Sequence, residues 1–179
     1  DPNTISTLDF EAADVAINAL LDDPANPLLA ESYQDREMPG STFKVLTTSM
    51  ALEQNAISLD SSWPDASEWE PPQTNDPIEN YNGSVCGGDL YEVFTRSCNI
   101  PFAQIAVEDL GIDPFVTGAE SWGVGETIPF DLPRPAASTI GSVDDLDQNL
   151  PLLAMRGFGQ NEVQMVPLHM ALIAGGVAN

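Results

Sequence analysis

The chain has 179 residues, 42% of them hydrophobic, enough to bury one core and about the length of one domain. With 28 acidic against 5 basic residues the formal net charge is −23, which argues against nucleic acid or an anionic membrane as a partner. No run approaches the ~20 apolar residues of a membrane span, and nothing at the start resembles a signal peptide.

In chain order, residues 9–21 predict a helix that Asp9 caps, with Phe10, Ala13, Ile17, Leu20 and Leu21 on one face. Asp22-Asp23-Pro24-Ala25-Asn26-Pro27 ends it, and an irregular connection leads to Pro39-Gly40. From Ser41 to about Asn55 the pattern is helical again, with Ser41 or Gly40 as cap and Phe43, Leu46, Met50 and Leu52 forming the apolar face. Residues 59–84 hold Pro64, Pro71, Pro72 and Pro77 without periodicity, the composition of a long ordered loop that serves as a functional surface or a lid. Asp89 caps a short helix through Arg96, Ser97-Cys98-Asn99 connects, and Pro101 opens a helix that Gly111 stops. A further short helix spans 113–122. Residues 123–151 read as loop with one short strand near Ile128-Pro129-Phe130, and Val166-Pro167 opens the last helix. The chain is expected to be mainly α with long loops.

Lys44 is the single lysine of the sequence, and it stands three positions after Ser41. Residues i and i+3 share a helix face, so the hydroxyl and the amine lie within reach of each other. A serine hydroxyl is a weak nucleophile until a base takes its proton. Lysine becomes such a base only when its ammonium is destabilised, by burial or by the positive end of a helix. Taken alone, Ser-x-x-Lys is a common pattern, and an N-cap serine beside a snorkelling lysine is its plain structural meaning. The absence of any other lysine, and a second polar triplet at Ser97-Cys98-Asn99 in a loop between helices, favour the chemical one.

These motifs resemble those of the penicillin-binding transpeptidases, serine acyltransferases that cross-link peptidoglycan. Pro39-Gly40-Ser41-Thr42-Phe43-Lys44 resembles the nucleophile motif, and Ser97-Cys98-Asn99 followed by Ile100-Pro101-Phe102-Ala103 resembles the second motif with its helix. Gly159-Gln160-Asn161-Glu162-Val163 through Pro167-Leu168-His169-Met170-Ala171 is similar to the segment between second and third motifs. The resemblance implies that Ser41 is acylated by a D-Ala-D-Ala stem peptide or a β-lactam, with Lys44 as base. Ser97 would relay a proton to the leaving group, and Asn99 would hold Lys44 or the substrate amide. It implies no metal or cofactor, a site on the extracytoplasmic face of a bacterial membrane, and cell-wall synthesis proteins as partners.

The third motif, Lys-Thr-Gly, has no counterpart in a chain with one lysine. The resemblance therefore implies that residues 1–179 are part of one transpeptidase domain: the helical subdomain of an α/β fold, without most of the central antiparallel sheet. Such a piece is expected not to acylate efficiently by itself, and membrane attachment would run through an anchor outside it. A β-lactamase or β-lactam sensor of the same fold remains open, as does a non-catalytic helical interaction module with a fortuitous Ser-x-x-Lys.

Cys86 and Cys98 lie 12 apart and fit no zinc pattern, since His169 is the one histidine. From the residues alone, pairing and free thiols are equally open. The extracytoplasmic location that the resemblance implies allows oxidation, and a disulfide would then pin the loop carrying Ser97 and Asn99. His169, in an apolar stretch, reads as a satisfied histidine rather than a catalytic one. Trp63, Trp69 and Trp122 read as anchors of core and loops. Asp144, Asp145 and Asp147 lack calcium-loop spacing, and Gly123-Val124-Gly125 is a turn rather than a phosphate cradle.

Overall fold

A computed structural model describes residues 5–129, 131–144 and 146–179. Helix α1, Phe10–Leu21, starts where Asp9 accepts a hydrogen bond from the Ala12 N–H, as its N-cap position predicts. Of its expected apolar face only Ala13 is buried, while Phe10 is 77% exposed. One turn of helix, α2 (Glu31–Gln34), follows.

The chain then enters the centre of the molecule. Gly40–Phe43 form a 3-10 turn that runs directly into α3, Lys44–Glu53. The expected helix from Ser41 thus exists, but its first turn is tighter than an α-helix and Ser41 does not cap it. Phe43, Leu46 and Met50 are fully buried on the predicted face. Around them pack a helix in two parts, α5 (Ile100–Gln104) continuing as a π-helical segment (Ile105–Leu110), and α6 (Ile112–Ser121). Phe43 and Phe115 meet ring to ring at 6.4 Å between centroids.

Two helices complete the layer. Helix α7, Leu150–Arg156, packs on α5; it starts at the end of the stretch 123–151 read from sequence as loop, and the rest of it follows that stretch. Its Pro151 stands in the first turn, where a missing N–H costs nothing. Helix α8, Pro167–Ala178, packs on α2 and α3. No described helix is long and apolar enough to cross a membrane.

Residues 59–84 are not simply loop. They carry β1 (Ser62–Ala66), β2 (Glu68–Trp69) and β3 (Ile78–Glu79). Strand β2 pairs antiparallel with β3, and β1 with β4 (Cys86–Asp89), in register Ser62 to Asp89 and Trp63 to Gly88. Two small ribbons replace periodicity with local pairing, which explains why no alternation showed. Helix α4, Leu90–Thr95, follows β4 through a capping box of Asp89 and Glu92. The strand expected near residue 128 does not form at 128–129; among the described residues, an isolated bridge pairs Thr127 with Ala137 nearby. Phe130, its third residue, and Asp145 lie outside the described residues.

Candidate active site

The turn that carries Ser41 is shaped by two glycines. Gly40 adopts φ +53° and donates its N–H to the Gly159 carbonyl at 3.0 Å. Gly159, at φ +76°, closes against this turn so tightly that a Cβ there would sit 2.2 Å from Gly40 O. Only glycine satisfies both the left-handed backbone and the contact. The 157–160 turn and the Pro39-Gly40 turn therefore lock together and present Ser41 at the surface.

Behind it, Lys44 is 2% exposed. Its Nζ lies 3.1 Å from Ser41 Oγ, 3.1 Å from Ser97 Oγ, 2.8 Å from Ser97 O and 2.9 Å from Asn99 Oδ1. The Phe102 ring, 5.3 Å from Nζ to its centroid, faces the amine. Burial lowers the Lys44 pKa to about 8. All four residues singled out from sequence thus converge on one nitrogen, across 53 and 55 positions of chain in the case of Ser97 and Asn99.

The acceptor set decides what that nitrogen can do. Ser97 O and Asn99 Oδ1 can only accept hydrogen bonds, so each takes an N–H. A neutral amine has two N–H groups and one lone pair. With both N–H groups so engaged, the lone pair is left facing hydroxyls, and a hydroxyl proton can move to it. An ammonium meets the same two acceptors and gives its third proton to a serine oxygen. The site accommodates both states without rearrangement.

The second motif is held from two sides. Cys86 and Cys98 form a disulfide, with Cα atoms 5.7 Å apart, which ties β4 to the motif loop. Asn99 continues into α5, while Ser97 adopts φ +57°, a left-handed conformation that costs a non-glycine residue on the order of 1 kcal/mol. Sequence reading missed Asn80 as a contributor to this arrangement, and it placed Gly159 in the segment between the second and third motifs without its contact to Gly40. Asn80 sits in the proline-rich stretch, only 3% exposed, and accepts the Asn99 N–H at 2.8 Å. The turn signal Asn80-Tyr81-Asn82-Gly83 was available, but nothing local indicates that its first side chain reaches 19 residues on. A cleft of 410 Å³ opens beside Asn99, lined in part by Asp76, Glu79, Met155, Phe158 and Gln160.

His169 lies apart from the site. It is buried, with Nε2 2.8 Å from the Trp122 carbonyl and Nδ1 2.8 Å from Ser138 Oγ. A carbonyl only accepts, so Nε2 carries the proton. Ser138 accepts the Val166 N–H at 3.0 Å and turns its own proton to Nδ1. Trp122 Nε1 in turn donates to Glu53 at 2.9 Å, as an anchor does. Among the described residues, no group of three or more His, Cys, Asp or Glu side chains is placed to hold a metal ion.

A mainly helical body carrying a serine and a buried lysine at a helix start, faced by Ser-x-Asn, is the arrangement of a protein class, and comparison with known proteins identifies it. The chain belongs to the penicillin-binding protein transpeptidase domain family, whose model matches residues 1–179. It is 34% identical over 184 residues to the peptidoglycan D,D-transpeptidase PbpA of Mycolicibacterium smegmatis, covering 100% of this chain and 36% of that protein. It is 30% identical over 178 residues to penicillin-binding protein 3 of Bacillus subtilis, covering 96% of this chain and 25% of that one. Among solved structures, penicillin-binding protein A of Mycobacterium tuberculosis, as its penicillin G acyl-enzyme complex, superposes with a TM-score of 0.88 at 31% identity. That match covers 100% of this chain and 41% of the other. The chain thus spans roughly a quarter to two fifths of the relatives it matches.

Proposed function

We propose that the full-length protein carrying this chain is a peptidoglycan D,D-transpeptidase that β-lactams inhibit by acylating Ser41. The observation that carries this reading is the Lys44 amine, buried and held between the Ser41 and Ser97 hydroxyls. In the first step the Ser41 Oγ–C bond forms at the carbonyl of the D-Ala-D-Ala peptide bond, or of the β-lactam ring, and that C–N bond breaks. The Ser41 proton passes to Lys44 Nζ and reaches the leaving nitrogen through Ser97 Oγ. An acceptor amine of a second stem peptide then attacks the ester, forming the new amide and returning the proton to Ser41. The Ser41 N–H supplies one donor to the oxyanion, an interaction of a few kcal/mol in sites of this kind. Asn99 holds Lys44 and faces the cleft in which the substrate amide would lie.

Residues 1–179 act, in this reading, as part of one transpeptidase domain at the extracytoplasmic face of the membrane. They make up its helical subdomain, with most of the central sheet supplied by other residues. The partner strand with Lys-Thr-Gly has no counterpart among them, so the isolated piece is expected to acylate poorly. Labelling of the full-length protein with fluorescent penicillin, beside Ser41→Ala, tests the proposal. A lasting adduct that disappears with Ser41 supports it. Rapid release of the label points to a β-lactamase, and no Ser41-dependent adduct removes the enzymatic reading.

A further inference from the structure

Asn80 uses its whole side chain in hydrogen bonds. Its Oδ1 accepts the Asn99 N–H at 2.8 Å and the Ile100 N–H at 3.2 Å. Its Nδ2 donates to Ala66 O at 2.9 Å and Ser84 O at 3.2 Å. A carboxamide offers two donors and two acceptor positions, and here all are occupied. The donors grip the end of β1 and the segment that leads into β4. The acceptor grips the start of α5, where Asn99 and Ile100 carry N–H groups that no preceding turn can satisfy. No side chain from the helix's own N-cap serves them, so a residue 19 positions earlier caps this helix.

The next link runs from Asn99 to the amine. Asn99 Nδ2 donates to Glu79 O, beside Asn80, at 3.1 Å. A carbonyl accepts only, which settles the orientation of the Asn99 amide and turns its Oδ1 toward Lys44 Nζ at 2.9 Å. The end of β3 therefore sets both the backbone position of Asn99 and the face it shows to Lys44.

We propose that Asn80 is a positioning residue for the acyl-transfer site, acting through Asn99 on Lys44; this rests on the function proposed above. Aspartate at this position keeps the acceptor facing α5 and loses the donors to Ala66 O and Ser84 O. Alanine loses both and leaves the part-buried Asn99 N–H and the buried Ile100 N–H without this partner.

The test uses the full-length protein. Acylation by fluorescent penicillin is timed for Asn80→Ala, Asn99→Ala and the double variant, and amide hydrogen exchange is followed at Asn99 and Ile100. Asn80→Ala is expected to slow acylation about tenfold or more, and to add less than about threefold once Asn99 is already alanine. Exchange at the two amides is expected to rise at least about tenfold while that of α6 stays unchanged. An equal loss on both backgrounds, or unchanged exchange at Asn99 and Ile100, overturns the proposal. Should Asn80→Ala fail to fold, Asn80→Asp carries the test. It is expected to acylate within about fivefold of the unsubstituted protein, and a folded Asn80→Asp that loses about tenfold or more overturns the proposal. Absence of any Ser41 adduct in the unsubstituted protein would defeat the proposed acylation instead. The exchange arm would then still decide whether Asn80 holds the loop.

Discussion

Lys44 Nζ and Asn99 Oδ1 stand 2.9 Å apart although 55 residues separate them in the chain. The contact joins α3, which follows the Ser41 turn, to the loop that faces it, and it fixes one N–H of the amine. With a second N–H on Ser97 O, at 2.8 Å, the remaining valence of Nζ points at hydroxyl protons.

The first consequence concerns pH. Burial holds the Lys44 pKa at about 8, so the neutral amine grows in from neutral pH upward. The rate of β-lactam acylation by the full-length protein is expected to rise with pH, with a midpoint at about 8, and then to level. Lys44→Arg, which cannot lose its proton, is expected to lower the rate by roughly 10² or more at every pH. Stopped-flow or gel-based acylation kinetics across pH checks both.

The same burial affects stability. Lys44 has a folded-state pKa of about 8 against an ordinary value of 10.5, so the unfolded chain binds more protons between those values. Stability contributed by this group therefore rises as pH increases through the window from about 8 to 10.5, and below it the cost of burying the ammonium is fully present. Denaturant melts of the unsubstituted protein and Lys44→Met are expected to draw together or cross in favour of the lysine form as pH climbs. A difference independent of pH would contradict the buried ammonium.

Reduction tests the hold on the second motif. The Cys86–Cys98 disulfide closes a short loop of the chain, and opening it is expected to cost at most about 3 kcal/mol in the loop-entropy account. Because Cys98 lies between Ser97 and Asn99, reductant is expected to slow acylation as well as lower the melting temperature. Alkylation with and without reductant, followed by penicillin labelling, measures both. Cys98→Ser in the absence of reductant is expected to behave in the same way.

His169 supplies a control. Removing the Ser138 hydroxyl leaves His169 Nδ1 and the Val166 N–H without their partner, a loss of about 1–3 kcal/mol for buried groups. Ser138→Ala is expected to lower the melting temperature and leave the acylation rate of the folded protein within about twofold.

Most of the longer helices were legible in the sequence because they carry their own punctuation. Asp9 and Asp89 cap, Pro101 opens and Gly111 stops, and the structure shows all four in those places. Four candidate residues, Ser41, Lys44, Ser97 and Asn99, were marked from motif and composition, and their meeting at Lys44 Nζ is a tertiary fact that no spacing conveys. What escaped was held by pairing between distant segments. The ribbons β1–β4 and β2–β3 lack alternation, since prolines and acidic residues fill a surface with little to bury. Helix α7 followed a stretch rich in Gly, Pro and Asp and was masked by it. Asn80 and Gly159 matter for what they touch, Asn99 and Gly40, and a side chain's reach across the fold leaves no mark in its neighbours along the chain.

Locating the covalent adduct tests the central claim most directly. After brief treatment of the full-length protein with penicillin, proteolysis and mass spectrometry of the peptide spanning residues 39–44 should show the intact antibiotic's mass attached to Ser41. Ser41→Ala should show none anywhere. An adduct on another residue, or an equal adduct in Ser41→Ala, would contradict the assignment of Ser41 as the acylated nucleophile.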